Sequence, residues 1–119
     1  MKKLFMLIIL AVILFSCKKD PVVLTGDLLI EVRYEGAGES QAEVWLYESW
    51  DKFDRYEYYD KDMSNENGEV LFENLDPGWY VIEAEKEKSS LFILWAADSI
   101  EVVEGRQTNK MLILEPAGR

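Results

Sequence analysis

The sequence predicts an all-β fold: one β-sandwich of immunoglobulin-like size with about seven strands, preceded by a helical signal peptide. Three observations predict it. Short segments that alternate apolar and polar side chains recur along the chain, and period two sends one set of side chains to a buried face. Turn-forming residues separate them, most plainly Asn67-Gly68, Asp76-Pro77-Gly78 and Gly105. No amphipathic helical pattern of useful length follows residue 16.

The head of the chain is read first because it sets the domain limits. Met1-Lys-Lys3 is basic, Leu4–Phe15 is a run of twelve apolar residues, and Ser16-Cys17 closes it. A charged start, a short apolar core and a small residue at the cut describe a secretory signal. The run is shorter than the roughly 20 residues a membrane span needs. The expected organisation is therefore a signal peptide at 1–16, a tether at 17–25 and a β-sandwich at 26–116. From Cys17 onward 103 residues remain, enough for one domain with one core.

The strands follow in order. Asp27–Tyr34 alternates, with Leu28, Ile30 and Val32 on one face. Glu35–Glu39 is a glycine-rich turn. Gln41–Glu48 puts Ala42, Val44 and Leu46 toward the core and leaves Trp45 and Tyr47 facing outward. Ser49–Met63 is irregular, and two readings fit: a strand over Arg55–Asp60, or a helical turn over Trp50–Tyr56. Ser64–Glu85 reads as two strands, each preceded by a turn. Asn67-Gly68 opens Glu69–Glu73 as a hairpin. Asp76-Pro77-Gly78 opens Trp79–Glu85, with Tyr80, Ile82 and Ala84 inward and Trp79 outward. Glu85–Ser90 is expected to be a charged turn, and Leu91–Trp95 a buried strand or a loop tucked under the sandwich. Ser99–Glu104 points Ile100 and Val102 inward. Asn109–Glu115 is the last strand, open in register between Met111/Ile113 and Leu112/Leu114, and Pro116 is expected to stop it.

Composition narrows the function classes. Without Lys2 and Lys3, 11 basic and 23 acidic side chains remain, a formal charge of −12. Such a surface repels phosphate backbones and anionic headgroups, so no nucleic-acid partner is expected. There is no histidine and one cysteine. Ser-His and Cys-His nucleophile activation is thereby excluded, and no enzyme activity or cofactor is expected. A lone cysteine also forbids an intramolecular disulfide.

Leu14-Phe15-Ser16-Cys17 resembles the lipobox of bacterial lipoproteins. The resemblance implies that the Cys17 sulfur carries diacylglycerol, that the chain is cut before it, and that the new amino group is acylated, with palmitate as the expected chain class. Several acyl chains, at about 0.8 kcal/mol per buried CH₂, hold a protein on a bilayer without a spanning helix. Lys18-Lys19-Asp20 follows, and by the same resemblance a residue other than Asp after the cysteine points to the outer membrane, in either leaflet.

A second resemblance covers about Gly26–Glu115. Gly26–Val32, Ala42-x-Val44-x-Leu46-Tyr47, Ser64-Asn-x-Asn67-Gly68-x-Val-x-Phe72-x-Asn74-Leu75-x-Pro77-Gly78-x-Tyr80-x-Ile82 and Ile100-x-Val102-x-x-Gly105 occur in that order. Together they resemble the carboxypeptidase regulatory-like domains, a transthyretin-like sandwich group whose pattern the B-type repeats of collagen adhesins share. The resemblance implies a stalk, spacer or accessory module without catalysis. In the adhesin repeats a strand lysine is cross-linked to an asparagine. The first strand here offers no inward lysine, so no such bond is expected from Asn109.

Two groups of residues remain as candidate sites. Asp60, Asp62 and Asn65 supply hard oxygen ligands near one loop, but their spacing departs from a calcium-loop pattern, and a solvated turn accounts for them. The aromatic residues Trp45, Tyr47, Trp50, Tyr58 and Trp79, interleaved with carboxylates, are the stronger set. Flat rings flanked by acids suit sugar stacking, suit a protein hot spot, and also suit a covered sheet face. The expectation is a non-catalytic envelope lipoprotein acting as a structural or protein-interaction module. The alternative is a glycan-binding surface lipoprotein.

Overall fold

The computed structural model describes residues 24–117. The expected signal peptide, Cys17 and the tether as far as residue 23 lie outside the described residues. The strands are β1 (Gly26–Tyr34), β2 (Ala37–Gly38), β3 (Glu43–Tyr47), β4 (Asp60–Met63), β5 (Glu69–Leu75), β6 (Gly78–Ser89), β7 (Phe92–Val102), β8 (Gln107–Ile113) and β9 (Glu115–Pro116), with one helix, α1 (Trp50–Asp54), after β3. Seven of these strands have four residues or more, and they form two sheets.

β1 is the middle of the smaller sheet. Alternation along it sends Leu28, Ile30 and Val32 to full burial. β8 runs parallel to it on one side, Asp27–Arg33 against Gln107–Ile113. On the other side β5 pairs antiparallel with the first part of β1, and β2 with its last two residues. The larger sheet runs β4-β3-β6-β7-β9, antiparallel throughout. Its inner face offers Val44 and Leu46 from β3, Tyr80, Ile82 and Ala84 from β6, and Leu94, Ile100 and Val102 from β7. These meet Val70, Phe72 and Leu112 from the smaller sheet in one core, the period-two burial that a two-layer sandwich requires.

Four expectations are corrected. Asn67-Gly68 makes no hairpin, because β4 belongs to the larger sheet and β5 to the smaller. The turn carries the chain from one layer to the other. The Gly68 N–H donates to the Asn65 carbonyl at 2.9 Å, and the Asn65 side-chain oxygen accepts from the Asn67 and Glu69 N–H groups, both at 2.9 Å. Glu85–Ser90 is no turn either. β6 continues to Ser89, and the reversal falls at Ser90-Leu91. The β6–β7 pair thus outruns the smaller sheet, which it meets near the tip where Tyr34 stands edge to face with Phe92, ring centres 6.4 Å apart, and the Lys88 ammonium lies 5.9 Å from the Tyr34 ring centre. With no layer opposite, Leu91 and the inward-facing Phe92 are exposed; Ile93 and Trp95 are exposed on the outer face, and only Leu94 of the apolar run is buried.

The third correction concerns the irregular segment. Of its two readings the helix is realised, over Trp50–Asp54, and Arg55–Tyr59 forms no strand. The chain rejoins the sheet when the Tyr59 N–H donates to the Leu46 carbonyl at 2.7 Å, and β4 follows. The fourth concerns the end of the chain. Leu112 and Leu114 face the core, while Met111 and Ile113 face solvent. Pro116 does not stop the pairing. Glu115–Pro116 crosses to the larger sheet and pairs with Trp95 and Leu94, at an edge where a residue without an N–H is tolerated.

One buried polar side chain ties the layers together. The Ser64 Oγ accepts from the Ala42 N–H at 2.8 Å and donates to the Glu39 carbonyl at 2.6 Å. Its hydrogen-bonding capacity is used, as burial demands.

Candidate functional site

The site lies on the outer face of the larger sheet. Strand alternation sends Glu43, Trp45 and Tyr47 of β3 to this face. From β6 it sends Trp79, Val81, Glu83 and Glu85, and from β7 Trp95, Ala97, Ser99 and Glu101. Register sets the rows: Trp79 opposite Glu101; Tyr47, Val81 and Ser99 together; then Trp45, Glu83 and Ala97; then Glu43, Glu85 and Trp95.

Helix α1 shapes one end of this face. Ser49 caps it: its backbone is extended, and its Oγ accepts from the Lys52 N–H at 3.1 Å. Asp51 in the first turn suits the positive end of the helix and pairs with Arg55 one turn on. The helix packs on β3 and β6. Phe53 is its anchor, meeting Tyr47 and Trp50 edge to face, with ring centres 5.3 Å apart in both cases. Tyr47 is thereby covered to 3% exposure, although it faces outward.

Trp50 and Trp79 border a cleft of about 430 Å³ beside this helix. Glu48, Ser49, Tyr80, Val81 and Ser99 complete its lining. The two indoles are 50% and 64% exposed, far more than packing requires of tryptophan. Farther along the face, Glu83 accepts twice. The Tyr47 hydroxyl donates to its Oε1 at 2.8 Å and the Trp95 Nε1–H to its Oε2 at 2.8 Å. Burial, and then the hydrogen bond to Glu83 and its charge, push the Tyr47 hydroxyl well above its ordinary pKa, so it remains a donor. Burial pushes the Glu85 carboxyl up as well, with added repulsion from Glu83, Glu43 and Glu87. The face therefore combines exposed indoles with a negative field.

The residues singled out in the sequence separate into groups. Trp45, Tyr47 and Trp79 do share a face, but Tyr47 is support rather than surface, so the three form no platform together. Trp50 joins Trp79 at the cleft. Tyr58 precedes β4 at the edge of the sheet, where the Lys61 ammonium lies 5.8 Å from its ring centre, and it does not line the cleft. Asp60 and Asp62 accept from the N–H groups of the residues that follow them, and Asn65 shapes its turn. Among the described residues no group of three or more His, Cys, Asp or Glu is placed to hold a metal ion. Trp95 escaped the sequence reading. Counting back by twos from Val102 and Ile100 would have placed Leu94 inside and Trp95 outside.

Comparisons with known proteins bear on the fold. No protein-family model matches this chain. No curated protein matches it. Among solved structures it is similar to a protein from Pseudomonas aeruginosa described as a "putative carbohydrate binding protein", with 14% identity and a TM-score of 0.56 over 83% of this chain and 94% of that chain. At that identity the likeness is one of fold, and it covers the sandwich.

Proposed function

We propose that the protein is a non-catalytic, lipid-anchored module of the bacterial envelope whose large sheet binds carbohydrate in the Trp50–Trp79 cleft. The observation that carries this reading is the pair of half-exposed indoles bordering one cleft whose lining includes Glu48, Ser49 and Ser99. Indole faces meet the C–H faces of a pyranose, while carboxylates such as Glu48 and hydroxyls such as Ser99 exchange hydrogen bonds with sugar hydroxyls. The described neighbour from Pseudomonas aeruginosa supports it as an analogy between folds, which by itself assigns no activity.

A glycan array probed with the full chain tests the reading. At least one neutral glycan is expected to bind. Trp50→Ala and Trp79→Ala are each expected to weaken it about thirty-fold, corresponding to roughly 2 kcal/mol for a buried tryptophan contact. A blank array for the unaltered chain would sink the carbohydrate reading. A blank array together with co-purification of an envelope protein would favour a protein-interaction module, which the exposed Leu91, Phe92 and Ile93 at the β6–β7 tip also suit.

The anchor has its own support in the Leu14-Phe15-Ser16-Cys17 segment and its basic and apolar lead. The same placement extends to the outer membrane through Lys18 after the cysteine, and the sandwich is read as carboxypeptidase regulatory-like on its ordered turn motifs. Cells grown with a labelled fatty acid are expected to label the unaltered chain and not Cys17→Ser. Equal labelling of both would refute the anchor.

A further inference from the structure

The carbohydrate reading leaves most of the outer face unused. Between the row of Trp79 and that of Trp95, β7 presents only Ser99 and Ala97 outward. Their small side chains leave the space above the strand open. Helix α1 borders this strip from the β3 side. On its other side, among the described residues, β7 is paired only at Leu94 and Trp95, by β9. The strip is therefore open along its length and begins at the cleft, since Ser99 belongs to both.

Trp95 stands at the far end, and its position is defined. Its Nε1–H donates to Glu83, so the indole leans from β7 toward β6, and Glu83 is itself held by the Tyr47 hydroxyl. Tyr47 is in turn fixed beneath Phe53, the residue that also supports Trp50. Trp95 and Trp50, the indole that faces Trp79 across the cleft, are thus braced through one set of contacts. Trp79 and Glu85, the register partner of Trp95, are six residue steps apart along β6. At roughly 3.4 Å per residue the two indoles are about 20 Å apart along the strand. That span is longer than a disaccharide. The carboxylates along it, Glu48, Glu83, Glu85 and Glu101, oppose an anionic chain by like-charge repulsion.

We propose that this face receives a linear, uncharged polysaccharide lying along β7, seated on Trp79 at one end and Trp95 at the other. The proposal rests on the carbohydrate reading and extends it: the ligand is the interior of a chain rather than a single terminal sugar, and uronate or sulfated chains are rejected. Ser99 and Ala97 are the floor, and any larger side chain there would obstruct the path.

Titration calorimetry of the full chain with gluco-, manno- and xylo-oligosaccharides of two and six units tests it. In a series that binds, the six-unit member is expected to bind at least about ten-fold more tightly than the two-unit member, because it alone reaches both indoles. Trp95→Ala and Ala97→Phe are each expected to reduce the six-unit affinity to that of the two-unit sugar, with circular dichroism and melting temperature confirming a folded chain. Trp95 is part-exposed, so its removal is the variant that keeps the fold most safely. Hexagalacturonate is expected not to bind. Equal affinity for both lengths, an unaltered six-unit affinity in Trp95→Ala, or hexagalacturonate binding as tight as the neutral chain would each overturn the extended path while leaving the cleft. Absence of binding in all three series at both lengths would remove the cleft reading along with it.

Discussion

Replacing Gly68 by alanine is expected to destabilise the protein by about 3 kcal/mol, several times the cost of the same change at Gly36. The two glycines have the same backbone conformation, φ +82°, which L residues with a Cβ rarely adopt. Conformation alone therefore costs each about 1 kcal/mol. They differ in space. A Cβ at Gly36 meets nothing within 4 Å, whereas at Gly68 it would lie 2.5 Å from the Val32 carbonyl oxygen, 2.7 Å from the Glu39 nitrogen and 2.9 Å from the Gly38 Cα. All three are backbone atoms, so no side chain can swing aside. They belong to the joint where the Val32 N–H donates to the Gly68 carbonyl at 2.7 Å and the Glu39 N–H to the Val32 carbonyl at 2.8 Å. Relief of the clash must stretch those bonds. Thermal melts of the two variants measure the difference. A fall of about 15 °C is expected for Gly68→Ala and about 5 °C for Gly36→Ala. Equal falls would mean that the turn is not seated against β1 and β2 in this way.

The last long strand gives the second large effect. Leu112→Ala is expected to cost about 3 kcal/mol and Ile113→Ala less than about 0.5 kcal/mol, although the residues are neighbours of similar size. Leu112 is 3% exposed within the core, opposite Val32 in the parallel register, and its truncation leaves a cavity that two sheets must collapse to fill. Ile113 is 62% exposed on the outer face. Urea denaturation with an unchanged m-value reads both numbers. A larger loss at Ile113 than at Leu112 would mean that β8 is paired one residue out of register, since such a slip exchanges the two faces.

That pair also marks the boundary of what alternation reveals. Leu28, Ile30 and Val32 could be placed in the core from the sequence because Asp27, Glu31 and Arg33 mark the opposite face, and Glu43 does the same for Val44 and Leu46. Met111–Leu114 is apolar at every position, so period two has no contrast to report, and the choice falls to packing across the sandwich. Glu85–Ser90 misleads for the opposite reason. Its charges signal a turn, yet hydrogen bonding to β7 carries those residues as strand beyond the point where a second layer covers them. The exposure of Leu91 and Phe92 follows from where the smaller sheet ends, a property of other parts of the chain. Helix α1 is too short to show a helical period, and its N-terminal serine was the one local sign. As for the site, the outward direction of Trp45, Tyr47 and Trp79 was legible from alternation. The covering of Tyr47 was not, because a residue six positions later, Phe53, does the covering. Trp95 was lost in an apolar run whose faces only register separates.

The placement of β8 beside β1 has a consequence in time. Among the described residues β1 is the first strand, and it is the middle of its sheet, yet its parallel neighbour lies about eighty residues later along the chain. On a ribosome adding about 5–20 residues per second, β1 waits several seconds with one edge unsatisfied. Its other edge depends on β5, also reached only across the larger sheet's first strands. Such long-range closure slows folding, because the loop must be ordered before the contacts that reward it form. Until β8 arrives the smaller sheet cannot close, so the core of the sandwich is completed only at the end of synthesis.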